Sequence, residues 1–320
     1  MIVDGHNDVL LEHVERAGSS PDLVLHRGRE RLLDGYWLPK LEAAGVGLQI
    51  CPLFAATVPS EEARAWAGAQ EEEFRRAMEQ NPDRVRHVRT REDLDDSRFQ
   101  LLLSMEGLEP LEGDADAFDE WYGLGVRSAS LTWNHANEFA GGVATPEQGL
   151  SERGRAVVRK FAELNVLLDL AHASEQTWRD VLAEEVPFSV THACCRAVHD
   201  HQRNLADWQL EALAERGGVL GVMAVRFSVG PESPTISRLI DHIDQAVAVM
   251  GVEHVGIGAD FIKLEAPEAE SPWIDGFAGP AEYPALVAGL RERGYDGERL
   301  DAILGGNWLR ILRETLAATA

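Results

Sequence analysis

The chain has 320 residues, 45% of them hydrophobic, enough to bury a large core. Its 54 acidic residues against 30 basic ones give a formal net charge of −24, which argues against nucleic acid or an anionic membrane as a partner, since both need a basic face. Cys51 and the adjacent Cys194 and Cys195 make neither a disulfide framework nor a C-x-x-C motif, and no leader-like or membrane-spanning apolar stretch occurs, so a reducing, cytoplasmic setting is expected.

In chain order, eight short apolar runs recur: Ile2 to Asp8, Val46 to Phe54, Leu101 to Glu106, Val126 to Asn134, Val166 to His172, Phe188 to His192, Gly218 to Val225 and His254 to Phe261. Long helix-like stretches separate them. This alternation marks a parallel sheet with crossover helices, and eight strands at this spacing predict an α/β fold of the (β/α)8 TIM barrel type, with residues 1–320 as a single domain. Ser60 to Gln80 predicts a crossover helix with Trp66, Phe74 and Met78 on one apolar face, ended by Asn81-Pro82. Glu152 to Leu164 predicts a second, burying Val157, Val158, Phe161 and Leu164 and leaving Arg153, Arg155, Arg159 and Lys160 wet. Ser174 is expected to cap the helix after it. The proline-bearing segments Val229 to Ser237 and Glu265 to Pro284 read as loops over the barrel mouth, where substrate is usually held.

The polar residues of these runs fall at their C-terminal ends. His6 and Asp8, two positions apart, face the same way on a strand. The third run ends in Glu106, the fifth in His172, the sixth in His192, and Asp260 closes the apolar body of the eighth. Taken singly, each has an ordinary explanation as a capping or solvent-facing group. Taken together they converge, because a barrel brings every C-terminal strand end to one rim. His6, Asp8, Glu106, His172 and His192 offer nitrogen and carboxylate ligands without sulfur, a set that suits Zn²⁺ and is also compatible with Mn²⁺, Fe²⁺ or Co²⁺. Since a carboxylate can bridge two ions, the expected site is dinuclear, with a bridging water acidified towards neutrality, which is the chemistry of amide hydrolysis. Asp260 stands where a carboxylate accepts that water's proton; a sixth ligand or a hydrogen-bond acceptor is its other reading. Arg203, in Gln202-Arg203-Asn204, is either a fork for a substrate carboxylate or a surface arginine.

With these residues in place the chain resembles the membrane dipeptidase (renal dipeptidase) family of zinc peptidases, in the amidohydrolase superfamily. The resemblance is carried by Asp4-Gly5-His6-Asn7-Asp8, Leu38-Pro39-Lys40-Leu41, Gly45-Val46-Gly47, Met105-Glu106-Gly107, Leu131-Thr132-Trp133-Asn134, Gly149-Leu150 through Asp169-Leu170-Ala171-His172-Ala173-Ser174, Thr191-His192-Ala193, Gln202-Arg203-Asn204, Gly256-Ile257-Gly258-Ala259-Asp260-Phe261 and Gly306-Asn307. It implies two Zn²⁺ ions per chain, one held by His6 and Asp8, the other by His172 and His192, with Glu106 bridging. It also implies that Asp260 shuttles the proton of the bridging hydroxide and that Arg203 binds the dipeptide's C-terminal carboxylate. Members cleave dipeptides, often with a D-residue at the C-terminal position, and many are homodimers.

Three positions depart from the family's pattern. Trp133 stands where many relatives carry a histidine that polarises the scissile carbonyl, and His135, two residues on with the same parity, is either its replacement or a loop histidine contacting solvent. Phe54 stands where relatives often have a tyrosine that grips substrate, and Ile262 where they usually have a second aspartate. Phe54 and Trp133 are therefore the expected substrate-contacting departures. The expected function is a cytoplasmic metal-dependent dipeptidase acting on a small dipeptide. The alternatives are another amidohydrolase activity, on a lactone, cyclic amide or N-acyl amino acid, and a non-catalytic ligand-binding barrel. The histidines outside this set, His13, His26, His87, His199, His201, His242 and His254, read as structural or exposed.

Overall fold

Runs of Val, Ile and Leu flanked by turn residues form short parallel strands. In the computed structural model, which describes residues 1–11, 31–184, 186–262 and 272–319, they are β1 (Ile2–Asp4), β2 (Val46–Phe54), β3 (Val85–His87), β4 (Phe99–Glu106), β5 (Val126–Ser130), β6 (Leu167–Asp169), β7 (Phe188–Ala193), β8 (Leu220–Val222) and β9 (Val255–Ile257). Their hydrogen-bonded order is β2, β1, β9, β8, β7, β6, β5, β4, β3, and β2 also pairs with β4. That pairing closes eight strands into a (β/α)8 barrel with helices between them. The short β3, absent from the sequence expectation, lies outside the ring and pairs only with the first residues of β4, Val85 opposite Phe99 and His87 opposite Leu101.

The helices used below are α1 (Ser60–Gln80), α2 (Glu152–Leu164), α3 (Glu175–Ala183), α4 (Asp207–Glu215), α5 (Ile236–Met250), α6 (Tyr283–Glu292) and α7 (Asn307–Thr315). The bounds expected for α1 and α2 agree with these. Trp66 and Phe74 are buried on α1 and Met78 is half-buried. On α2 the buried residues are Gly154, Val157, Val158 and Phe161, while Leu164, expected inside, is half-exposed on the last turn before the left-handed Asn165. Ser174 caps α3, its side chain accepting from Thr177 N at 2.9 Å.

The strands are shorter than their apolar runs. β1 stops before His6, β6 before His172 and β9 before Asp260. The backbone explains two of these, because His172 (φ 64°) and Asp260 (φ 66°) are left-handed, a conformation that ends a ladder. Of the two expected loops, the segment from 229 to 237 contains the end of a short helical turn and the start of α5, with a bridge between Thr235 and Asp275. The part of the other from 265 to 271, like His13 and His26, lies outside the described residues. Among the described residues no helix is long and apolar enough to cross a membrane.

The chain divides into two compact units. The first comprises Met1–Asn7, Leu38–Gln49 and Ser189–Ile311. Its centre is Trp308, fully buried, whose indole N–H donates to the Ile257 carbonyl at 3.0 Å. A Cβ on Gly5 or on Gly256 would stand 2.5 Å from that ring, so both positions must lack one. Phe261, Trp273, Phe277 and Tyr283 pack edge to face with one another, with centroids 5.0 to 6.2 Å apart. After β7, the Cys194 and Cys195 thiols donate to the carbonyls of Met223 and His242, each at 3.3 Å.

The second unit comprises Asp8–Trp37, Ile50–Phe188 and Leu312–Ala320. Here β4 is the central strand, buried along its whole length. Asp34, 1% exposed, gathers Arg76 Nη2 (3.1 Å), Asn81 Nδ2 (2.7 Å) and Arg31 Nη2 (2.6 Å), tying the Leu32–Trp37 segment to α1. These donors hold its carboxyl below the usual range against the opposing effect of burial.

Candidate metal centre

In the first unit, His192 lies on β7, and its Nδ1 is 2.9 Å from the hydroxyl of Thr191, which fixes the ring. His6, two residues past β1, lies against it with ring centroids 3.9 Å apart and the ring planes tilted by 39°. Asp260 completes the group: its Oδ1 is 3.8 Å from His6 Nε2. Ligand atoms of His6, His192 and Asp260 all lie within 4.8 Å of one another. Both imidazoles are nearly inaccessible, at 2% and 1% exposed, and Asp260 retains 20%. Arg203, 5% exposed, donates from Nη2 to the His192 carbonyl at 3.2 Å, so it is a buried residue tied to the site strand, which removes the surface-arginine reading.

Asp4 underlies this group. Its carboxylate accepts from His6 N (2.9 Å), from Ala259 N (3.2 Å) and from the Tyr283 hydroxyl. Burial pushes its pKa up to about 7, with the amides of His6 and Ala259 pulling the other way.

In the second unit, Glu106 ends β4 and is 5% exposed; its Oε1 is 3.0 Å from His172 Nε2. The turn out of the strand is held by Gly107, at φ 82°, whose N–H donates to Ser130 Oγ at 3.0 Å. His172 directs Nδ1 at the Asn134 side-chain oxygen, 2.8 Å away, which makes Nδ1 the protonated nitrogen and turns the Nε2 lone pair to Glu106. Asp8 is 8% exposed. Trp133 packs its ring 5.8 Å from His172 and, edge to face, 5.6 Å from Phe54, so both expected substrate-contacting aromatics belong to one cluster with a ligand candidate. His135 is exposed, its ring 6.5 Å from Trp133. Glu109, three residues beyond Glu106, is held by Asn137 Nδ2 at 3.1 Å, and burial raises its pKa.

These donors fit a divalent cation. They are imidazole nitrogens and carboxylate oxygens, all buried or nearly so, and placing such groups together away from water is costly without a counter-charge.

A sequence profile of the membrane dipeptidase family, peptidase family M19, matches residues 1–320. The chain belongs to that family. The dipeptidase verJ of Clonostachys rogersoniana is 28% identical to this membrane dipeptidase family member over 97% of this chain and 83% of its own length. The dipeptidase aclJ of Aspergillus oryzae is 33% identical over 67% of this chain and 51% of its own. Among solved structures, the metallopeptidase dipeptidase AC covers 99% of both chains at 26% identity with a TM-score of 0.84. A metallopeptidase of Rhodobacter sphaeroides, solved with a phosphinate mimic of the dipeptide L-Ala-D-Ala, covers 98% of this chain and 99% of its own at 25% identity, also with a TM-score of 0.84. The chain is thus a hydrolase of the metal-dependent dipeptidase class, with His, Glu and Asp clusters able to hold metal ions.

Sequence reasoning missed the residues that orient the ligand candidates. Thr191, Asn134 and Asp4 hydrogen-bond to His192, His172 and the His6 amide, and Asn7 accepts from Phe261 N, the amide next to Asp260. The available signal was adjacency, since each lies within two or three positions of a site residue or of Trp133.

Proposed function

We propose that this membrane dipeptidase family member uses two Zn²⁺ ions, held by His6, Asp8, Glu106, His172 and His192, to hydrolyse dipeptides. The observation that carries the reading is the gathering of His6, His192 and Asp260 within 4.8 Å, with the Glu106–His172 contact at 3.0 Å as its counterpart in the other unit. Ligands without sulfur favour zinc or a similar borderline ion. The metal supplies Lewis acidity, which acidifies water and polarises a carbonyl.

The chain's own groups do the rest. Asp260, part-exposed and facing His6, accepts the attacking water's proton and passes it to the departing amine. The Arg203 guanidinium binds the C-terminal carboxylate of the substrate; its bond to the His192 carbonyl fixes the fork next to a ligand residue. Phe54 and Trp133 form an apolar wall against the substrate's side chains. His135 is assigned the carbonyl-polarising role. Its support is the approach to Trp133 and its exposure counts against it, so an unchanged kcat in His135→Asn removes it from the mechanism.

A C-terminal D-residue is accepted in this reading. The R. sphaeroides relative was solved with a mimic of such a dipeptide, and the Arg203 contact constrains the carboxylate rather than the side chain. We further assign residues 1–320 to one functional domain, a cytoplasmic setting consistent with three buried cysteines outside any disulfide, and a homodimeric state. The test is turnover of a panel of L-L and L-D dipeptides with Zn²⁺ supplied, beside lactones and N-acyl amino acids. Dipeptide cleavage that is lost on chelation and restored by Zn²⁺ supports the reading. Turnover of the lactones alone would remove the peptidase assignment from this chain.

A further inference from the structure

Beyond β9 three successive backbone amides donate to the last residue of β1 and to two residues that follow it. Ala259 N reaches the Asp4 carboxylate at 3.2 Å, Asp260 N the His6 carbonyl at 2.8 Å, and Phe261 N the Asn7 side-chain oxygen at 2.7 Å. Only the middle bond joins backbone to backbone. The outer two are made by side chains, and both Asp4 and Asn7 are 0% exposed. Asn7 is itself anchored: its Nδ2 donates to Gln49 Oε1 at 2.7 Å on β2. Since a backbone N–H faces its oxygen, its amide group must face Gln49, and the carboxamide has one usable orientation.

Asp260 lies between these two clamps at φ 66°, where a non-glycine residue stays only if its neighbours fix it. Released at Phe261, the backbone would relax and carry the carboxylate away from His6, 3.8 Å off. We propose that Asn7, through its bond to Phe261 N and its anchor on Gln49, is a positioning residue that holds Asp260 in its reactive conformation. This rests on the role given to Asp260 above. Nothing in it requires Asn7 to touch substrate or metal.

The test is a double-substitution cycle on the zinc-loaded full chain, with kcat, KM, metal per chain and the circular dichroism spectrum measured for each variant. Asn7→Ala is expected to lower kcat by about 10- to 100-fold, the usual range for a supporting contact, with KM, metal content and fold retained. In the Asp260→Asn background the same substitution is expected to add less than about twofold, because its target has already been lost. Equal losses in both backgrounds would overturn the inference while leaving the role of Asp260 intact. Full activity in Asp260→Asn alone would overturn both, and is distinguishable because it appears before Asn7 is touched. If Asn7→Ala does not fold, Gln49→Leu removes the anchor instead and Gln49→Glu keeps an acceptor for Asn7 Nδ2. The inference then requires a kcat loss in the first, restored in the second; loss in both, or in neither, would overturn it.

Discussion

His172 faces the Asn134 side-chain oxygen with Nδ1 at 2.8 Å and Glu106 with Nε2 at 3.0 Å, so one ring is oriented from both sides. Such outer contacts set the tautomer of a ligating imidazole and restrict its rotation. Replacing Asn134 by Leu should weaken zinc binding by about 10- to 100-fold, read by competition with a chromophoric chelator. Asn134→Asp, which keeps the acceptor, should retain most of the affinity. Equal affinity in all three proteins would show that the contact does not orient the ligand.

Asp260 carries a conformational load as well as a chemical one. At φ 66° an aspartate is less comfortable than a glycine, and Asp260→Gly should raise stability by about 1 kcal/mol while abolishing turnover. Thermal unfolding with and without Zn²⁺, beside a turnover assay, separates the two effects. A less stable Asp260→Gly chain would mean that the left-handed conformation is not strained.

The stabilising contribution of His242 should fall on mild acidification. Its sign is opposite to that of Asp4, whose raised pKa makes the folded chain the better proton binder just below pH 7, so it is read as the difference between the wild type and a His242 variant. His242 is 0% exposed, its Nδ1 accepts from Cys195 N at 3.0 Å and its Nε2 donates to the Val229 carbonyl at 2.8 Å, so the bond from Cys195 requires a neutral ring protonated at Nε2. Burial pushes its pKa down from 6.5 to about 4. The unfolded chain therefore binds more protons between those values. The contribution is complete above pH 6.5, reduced by about 2 kcal/mol at pH 5, and lost through pH 4. Urea unfolding at pH 7 and pH 5 measures it, and His242→Gln should be less stable at pH 7 but flatter between the two. An equally steep profile in that variant would assign the acid sensitivity to other groups, of which His87, also lowered to about 4 chiefly by burial, is the first to examine.

Trp308 fills the space that Gly5 and Gly256 leave. Trp308→Ala should destabilise the chain by about 3–5 kcal/mol through lost burial and an unfilled cavity. Trp308→Phe, which loses only part of the ring and the bond to Ile257, should do so by less. Denaturant midpoints of the two variants check the order.

The barrel was legible in the sequence because period and composition encode it: apolar runs alternated with long amphipathic stretches, and α1 and α2 appeared with their bounds. Glu106 and His192 were legible for the same reason, each lying within its strand. His172 and Asp260 were found at the right places for an incomplete reason. They lie past their strands in left-handed turns, which no hydrophobic period announces. β3, three residues long, is too short to show a period at all. The contact from Asn134 to His172 spans 38 positions, and the clamp from Asn7 to Phe261 spans 254. Pairings at such separation depend on how the chain folds back on itself, and a single sequence names the partners without joining them.

The two adjacent cysteines after His192 have a practical consequence. Burial pushes the Cys195 thiol up to about 12 and raises that of Cys194 well above its ordinary value, so almost no thiolate exists at neutral pH in the native chain. An alkylating reagent can therefore react with them only when the polypeptide next to His192 opens. The rate of modification, followed by mass spectrometry against the rate for the denatured protein, becomes a clock for how often that stretch breathes, with no label added. Slower alkylation in the presence of Zn²⁺ would report, from outside any turnover assay, that a bound ion fastens the end of β7.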